Sequence, residues 1–215
     1  MKKSDGIIYY CEIPEHLSKD ASRLAREMLK WGFREFFQVD FQEEKIGRME
    51  HGKPFYQEGE HLHFNISHCK DGVAVAVSNR QIGVDVESMR SVNVRTVKKC
   101  CTKEECTYVF QNRINEGENN LPEDEAKRFL ELWTLKESYV KLTGEGLREP
   151  FSQVCFPFLQ TSETKKQCVR EIAGEDTANR HYLYAVGKLI LAMSVRWEDA
   201  GRNPAFHWKE IAFPL

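Results

Sequence analysis

The hydrophobic pattern of this chain changes period, and then changes again in the same order. Ile7–Ile13 is a run of β-formers closed by Pro14 and reads as a strand. Ala21, Leu24, Ala25 and Met28 recur at i, i+3, i+4 and i+7, the spacing of one helix face. Ser18 is placed to cap that helix, Asp20 is favourable in its first turn, and Gly32 ends or bends it. Short strands follow at Lys45–Met49, Leu62–Ser67 and Val73–Ser78, the last two as a hairpin turning through Lys70-Asp71-Gly72. The order then starts over. In Ile82–Glu87 the apolar Ile82, Val84 and Val86 alternate with Gly83, Asp85 and Glu87, the period of a strand. Val92–Cys101 reads as helical, and Thr102 with Glu105 has the spacing of a capping box. Ala126–Leu142 is the strongest helix, ended by Gly144 and Gly146. Gln153–Phe158, His181–Val186 and Leu189–Trp197 read as strands. A strand, a long helix and further strands, given twice, predict an α+β fold of two similar halves, residues 1–80 and 81–215.

Composition narrows the classes. With 215 residues, 41% hydrophobic and 11% aromatic, the chain is long and apolar enough to build a real core. The longest apolar runs, such as Val73–Val77 and Leu189–Met193, are about five residues, far from the roughly 20 of a bilayer span. The N-terminal apolar run stops at Glu12, too short for a signal-peptide core, so a cytoplasmic protein with no membrane partner is expected. A net charge of −2 lacks the basic footprint of a nucleic-acid binder, while leaving room for a small phosphate-bearing ligand. Seven cysteines, an odd number, favour free thiols; Cys100, Cys101 and Cys106 include no Cys-x-x-Cys pair for zinc. Asn112–Glu125, polar and containing Gly117 and Pro122, is the expected mobile loop.

Four segments carry residues suited to chemistry, the first three each with a plainer alternative. Asp85 and Glu87 lie at i and i+2 of a strand, on one side and about 7 Å apart. They form either a solvent-facing polar stripe or a pair of hard oxygen ligands for Mg²⁺. Glu137 and Lys141 share a helix face at i and i+4, either as a surface ion pair or as a metal ligand or base beside a phosphate clamp. Asn65-Ile66-Ser67-His68 ends a strand with polar groups that serve either the strand terminus or a phosphate, and Lys53 stands in a stiff turn between Gly52 and Pro54.

Taken together and in this order, Gly52-Lys53-Pro54, Asn65–His68, Gly83–Glu87, the Trp-x-x-Lys-Glu-x-x-x-Lys segment Trp133–Lys141 and the Gly-x-Gly-Leu of Gly144–Leu147 resemble the surfactin-type 4′-phosphopantetheinyl transferases. The resemblance is dense from about residue 52 to 150 and looser on either side. It implies two pseudo-symmetric α/β halves with coenzyme A in the cleft between them. It also implies transfer of the phosphopantetheine arm to a serine of an acyl or peptidyl carrier protein. Asp85, Glu87 and Glu137 are then the Mg²⁺ ligands, Glu137 also the candidate base, and Lys141 the contact to the pyrophosphate. Lys53, Ser67 and His68 match positions that hold the nucleotide's phosphates. The family is usually monomeric.

The chain departs from the family upstream. Ile13-Pro14-Glu15-His16-Leu17 stands where relatives carry a basic stretch, so Lys19, Arg23 or Arg26 must substitute if the 3′-phosphate is held there. For an acidic carrier, Arg128, Lys136 and the Asn112–Glu125 loop are the expected contacts. A non-catalytic coenzyme A or carrier-protein binder of the same fold is the rival class. The intact set of three carboxylates and Lys141 is more than a binder needs.

Overall fold

The structure is a computed structural model that describes residues 4–111, 119–146, 151, 154–156, 169–172, 178–199 and 201–212. It is a mixed α+β fold built on two four-stranded sheets. The first sheet runs β10 (Phe206–Glu210), β1 (Gly6–Glu12), β5 (Gly72–Ser78), β4 (His63–His68), antiparallel except where β10 lies parallel to β1. The second runs β6 (Ile82–Ser88), β9 (Leu189–Arg196), β8 (Asn179–Val186), β7 (Val169–Ile172), antiparallel throughout. A small hairpin of β2 (Ile46–Arg48) and β3 (Pro54–Tyr56) stands apart.

Alternation along the strands explains the layering. On β1 and β5, Ile7, Tyr9, Cys11, Val73, Val75 and Val77 pack with α1 (Ala21–Gly32), while Ile8, Tyr10, Ala74 and Ala76 face the other way. There they meet Ile82, Val84 and Val86 of β6 and Leu189, Leu191, Met193 and Val195 of β9, so the two sheets share a central apolar layer. The alanines keep that layer thin. On the far face of the second sheet, Ile190 and Ala192 join Phe129, Leu130 and Leu135 of the long helix α4 (Glu123–Thr143). The order is therefore helix, sheet, sheet, helix.

The expected strands at residues 7–13, 62–67, 73–78, 82–87, 181–186 and 189–197 are present within a residue or two. The Thr102–Glu105 capping box forms and starts α3 (Lys103–Phe110), preceded by α2 (Val94–Cys100). Asp20, rather than Ser18, holds the cap position of α1, without a side-chain bond. That helix passes through Gly32 into a π turn, Phe33–Phe37, and stops at Gln38 in a left-handed conformation. Val154–Phe156 form no strand, and the rest of the expected Gln153–Phe158 strand lies outside the described residues, as do 112–118 of the expected loop, whose end is already helix α4. Strand β10 was not expected. It is tied by Asp5, whose buried carboxylate takes both guanidinium nitrogens of Arg202 at 2.7 Å and the amide of Ala205 at 2.9 Å.

Candidate active site

Strands β4 and β6 are the facing edges of the two sheets. An edge strand leaves alternate amides without backbone partners. Here two side chains from β4 take them: Asn65 Oδ1 accepts from the Val84 amide at 2.9 Å, and Ser67 Oγ accepts from the Val86 amide at 3.3 Å. The i, i+2 spacing of Asn65 and Ser67 matches the i, i+2 spacing of the two amides, so a short polar motif stitches one sheet to the other.

The opposite alternation aims the rest of β6 at α4. A Cβ on Gly83 would lie 2.1 Å from the Ser138 carbonyl oxygen and 2.4 Å from the Leu142 amide, so only glycine lets the helix backbone rest on the strand there. Two residues on, Asp85 Oδ1 accepts from Lys141 Nζ at 2.6 Å and from Ser67 Oγ at 2.7 Å. Lys141 Nζ also donates to Ser67 Oγ at 2.8 Å, which closes a three-membered network between β4, β6 and α4. Two residues further, Glu87 Oε1 accepts from Trp133 Nε1 at 3.0 Å. Trp133 and Lys141 are eight residues apart, about two helical turns, which puts both on the face of α4 that β6 presents to them.

Ser67, His68, Asp85, Glu87, Glu137 and Lys141 line one open cavity of about 460 Å³. Asp85 is 5% exposed, yet its second oxygen, Oδ2, is buried with no hydrogen-bond partner. Burial, then the nearby charges of Asp85 and Glu87, push the Glu137 carboxyl up to about 7 against the pull of Lys141. Among the described residues no three carboxylate, imidazole or thiol groups already stand as a chelating cluster. The donor set nonetheless suits a hard divalent cation. One carboxylate oxygen lacks any partner, and a second carboxyl is disfavoured as an anion by burial first and by its acidic neighbours after that, which is an arrangement a divalent ion relieves.

Lys53 stands elsewhere. Its side chain lines a separate cavity of about 210 Å³ behind the helix end and donates to the Leu142 carbonyl at 2.8 Å. Lys136, expected to meet a carrier, is 1% exposed. It donates to Glu105 Oε2 at 2.6 Å and to the carbonyls of Cys100 and Phe151 at 3.0 and 2.7 Å, so it is a core cation and cannot touch a partner. Arg128 is largely covered as well, with Nε on the Val109 carbonyl at 2.9 Å. The six described cysteines are free. No helix among the described residues is long and apolar enough to cross a membrane. Sequence reasoning gave no role to Asn65 or Trp133; their only signal was their place inside the two motifs.

The polar seam between the two sheets thus joins Asp85, Ser67 and Lys141 across three elements beside one cavity. Residues 81–194, just over half of the chain, match the family described as the 4′-phosphopantetheinyl transferase superfamily, and the chain belongs to it. It is 32% identical over 103 residues to the 4′-phosphopantetheinyl transferase gsp of Aneurinibacillus migulanus, which is 48% of this chain and 39% of that protein. It is 29% identical over 114 residues to the 4′-phosphopantetheinyl transferase Sfp of Bacillus subtilis, 53% of this chain and 47% of that protein. To the 4′-phosphopantetheinyl transferase HetI of Nostoc sp. it is 34% identical over 113 residues, 51% of this chain and 44% of that protein. The matched stretch thus spans less than half the length of each of these relatives.

Proposed function

We propose that this chain moves the 4′-phosphopantetheine arm of coenzyme A onto a serine of an acyl or peptidyl carrier protein and releases adenosine 3′,5′-bisphosphate. The observation that carries this reading is the Ser67–Asp85–Lys141 network, set in an open cavity with Glu137 and Glu87. A lysine and a hydroxyl can meet phosphate oxygens, and three acidic groups around the same concavity can hold the divalent cation that would accompany a pyrophosphate.

In this reading coenzyme A lies in the cleft between two related halves, residues 1–80 joined by the returning strand β10 and the rest of 81–215, with its pyrophosphate over the β4–β6 seam. Asp85, Glu87 and Glu137 hold Mg²⁺, which when bound neutralises charge on the pyrophosphate and the leaving group. His68 donates to a phosphate oxygen, as does Ser67 when its hydroxyl turns from Asp85, and together they fix the phosphorus in line with the incoming serine. Glu137 takes the proton from the carrier's serine hydroxyl, directly or through a water. The serine oxygen bonds to the β-phosphorus as the bond to the bridging oxygen breaks. Lys141 turns from Asp85 to that oxygen and stabilises the charge that builds there. The pantetheine thiol takes no part. The reaction belongs to the cytoplasm, with the chain acting as a monomer and with neither nucleic acid nor membrane as partner.

The test is product analysis. Coenzyme A, Mg²⁺ and a panel of apo fatty-acid, polyketide and peptide carriers should give adenosine 3′,5′-bisphosphate in step with carrier loss, and Asp85→Ala should give none while still folding. Coenzyme A binding without release of the bisphosphate, across the whole panel, would instead support the non-catalytic binder.

A further inference from the structure

The turn that carries Lys53 is tightly built. The Met49 amide donates to the Lys53 carbonyl at 2.9 Å, the Gly52 amide returns to the Met49 carbonyl at 2.9 Å, and Arg48 Nη1 reaches the Gly52 carbonyl at 3.1 Å. Pro54 follows and begins β3. The lysine side chain leaves this turn and runs under the end of α4. Its stem packs against Gly144, the left-handed residue that ends the helix; a Cβ there would lie 3.2 Å from Lys53 Cδ. Its ammonium donates to the Leu142 carbonyl at 2.8 Å and lies 3.5 Å from the carbonyl of Ile82.

Both acceptors matter to the site. The last four carbonyls of a helix have no intrahelical partner, and a cation at that end also meets the negative pole of the helix dipole. Leu142 directly follows Lys141 in α4, and Ile82 opens the strand that carries Asp85 three residues on. One ammonium therefore touches both elements whose separation sets the Lys141–Asp85 contact. Burial alone pushes Lys53 down to about 8, which fits a cation held by carbonyl dipoles rather than by a carboxylate.

We propose that Lys53 is a positioning residue that fastens the C-terminal turn of α4 to the start of β6 and so holds Lys141 over Asp85, rather than a ligand for the nucleotide's phosphates. The kinetic half of this claim rests on the transferase reading above; the structural half does not.

Lys53→Met keeps the stem and removes the donor. Amides of residues 141–145 in this variant should exchange with solvent about tenfold faster than in the wild type. Transfer should lose about tenfold in kcat, by the same factor with coenzyme A and with 3′-dephospho-coenzyme A, because a misplaced Lys141 is felt by both. Lys53→Arg, which keeps a donor and a charge, should recover most of the loss. A penalty confined to the KM for coenzyme A that vanishes with the dephospho compound would overturn the proposal, as would unchanged exchange at the helix end. If the wild type proves to have no transferase activity, the proposed function falls while the exchange measurement still decides on the clamp. If Lys53→Met does not fold, nitrogen-15 NMR of the wild type decides. A slowly exchanging Lys53 ammonium bonded to a carbonyl supports the clamp, and a freely rotating, solvent-exchanging one refutes it.

Discussion

Helix α4 carries two buried lysine–carboxylate pairs about a turn and a half apart, and they are built on opposite plans. Lys136 uses its donors on Glu105, Cys100 and Phe151, and Glu105 in turn accepts the amides of Thr102 and Phe156 at 2.8 and 3.3 Å. Both side chains are nearly inaccessible, at 1% and 3%. Lys141 faces an open cavity at 27% exposure, and its partner Asp85 has one oxygen bonded twice and the other not at all. A fully satisfied buried network rigidifies; a partly satisfied one is costly and poised to accept something else. The first pair is architecture, joining α3, α4, Phe151 and Phe156. The second lies in the candidate site.

Substitutions should separate the two. Lys136→Met leaves Glu105 charged and buried without its cation, and should cost about 3–5 kcal/mol in chemical denaturation, with any surviving folded protein near full activity. Lys141→Met should do the reverse. Its unfolding free energy should fall by less than that of Lys136→Met, because Lys141 already faces the open cavity at 27% exposure, while the transfer rate falls by about 10²–10³ with the KM for carrier unchanged. If the two variants gave the same profile, the contrast between them would be broken. Asn65→Ala tests the seam that places Asp85. It strands the Val84 amide and should cost about 1–3 kcal/mol of stability, read from the denaturant midpoint.

Glu137 is pushed up from the ordinary 4.5 to about 7, so the folded state loses stability as pH rises through that window, and the loss is complete above it. Glu137→Gln removes the penalty. In metal-free buffer at pH 8 its melting temperature should therefore exceed the wild type's by a few degrees, with no such gain at pH 4. Added Mg²⁺ should stabilise the wild type and do less for the variant.

Much of this was legible in the sequence. The alternation of Val84 and Val86 with Gly83, Asp85 and Glu87 predicts a strand with one apolar and one polar face, because period two follows from backbone geometry alone. The capping box at Thr102 was legible for the same local reason. Lys53, Lys136 and β10 were not. The partner of Lys53 is a carbonyl 89 residues away, and residue type cannot reveal a bond to backbone. Lys136 and Lys141 look alike on a helix, and only the packing of α3 separates them. Phe206–Glu210 is short, and its place was set by the distant Asp5–Arg202 pair rather than by its own pattern.

The most direct test of the central claim is the intact mass of an apo carrier protein after incubation with this chain, coenzyme A and Mg²⁺. A gain of one phosphopantetheine arm on the carrier's serine is expected with the wild type and none with Asp85→Ala. A carrier panel that gains no mass with a folded wild type, or that gains it equally well with Asp85→Ala, would contradict it.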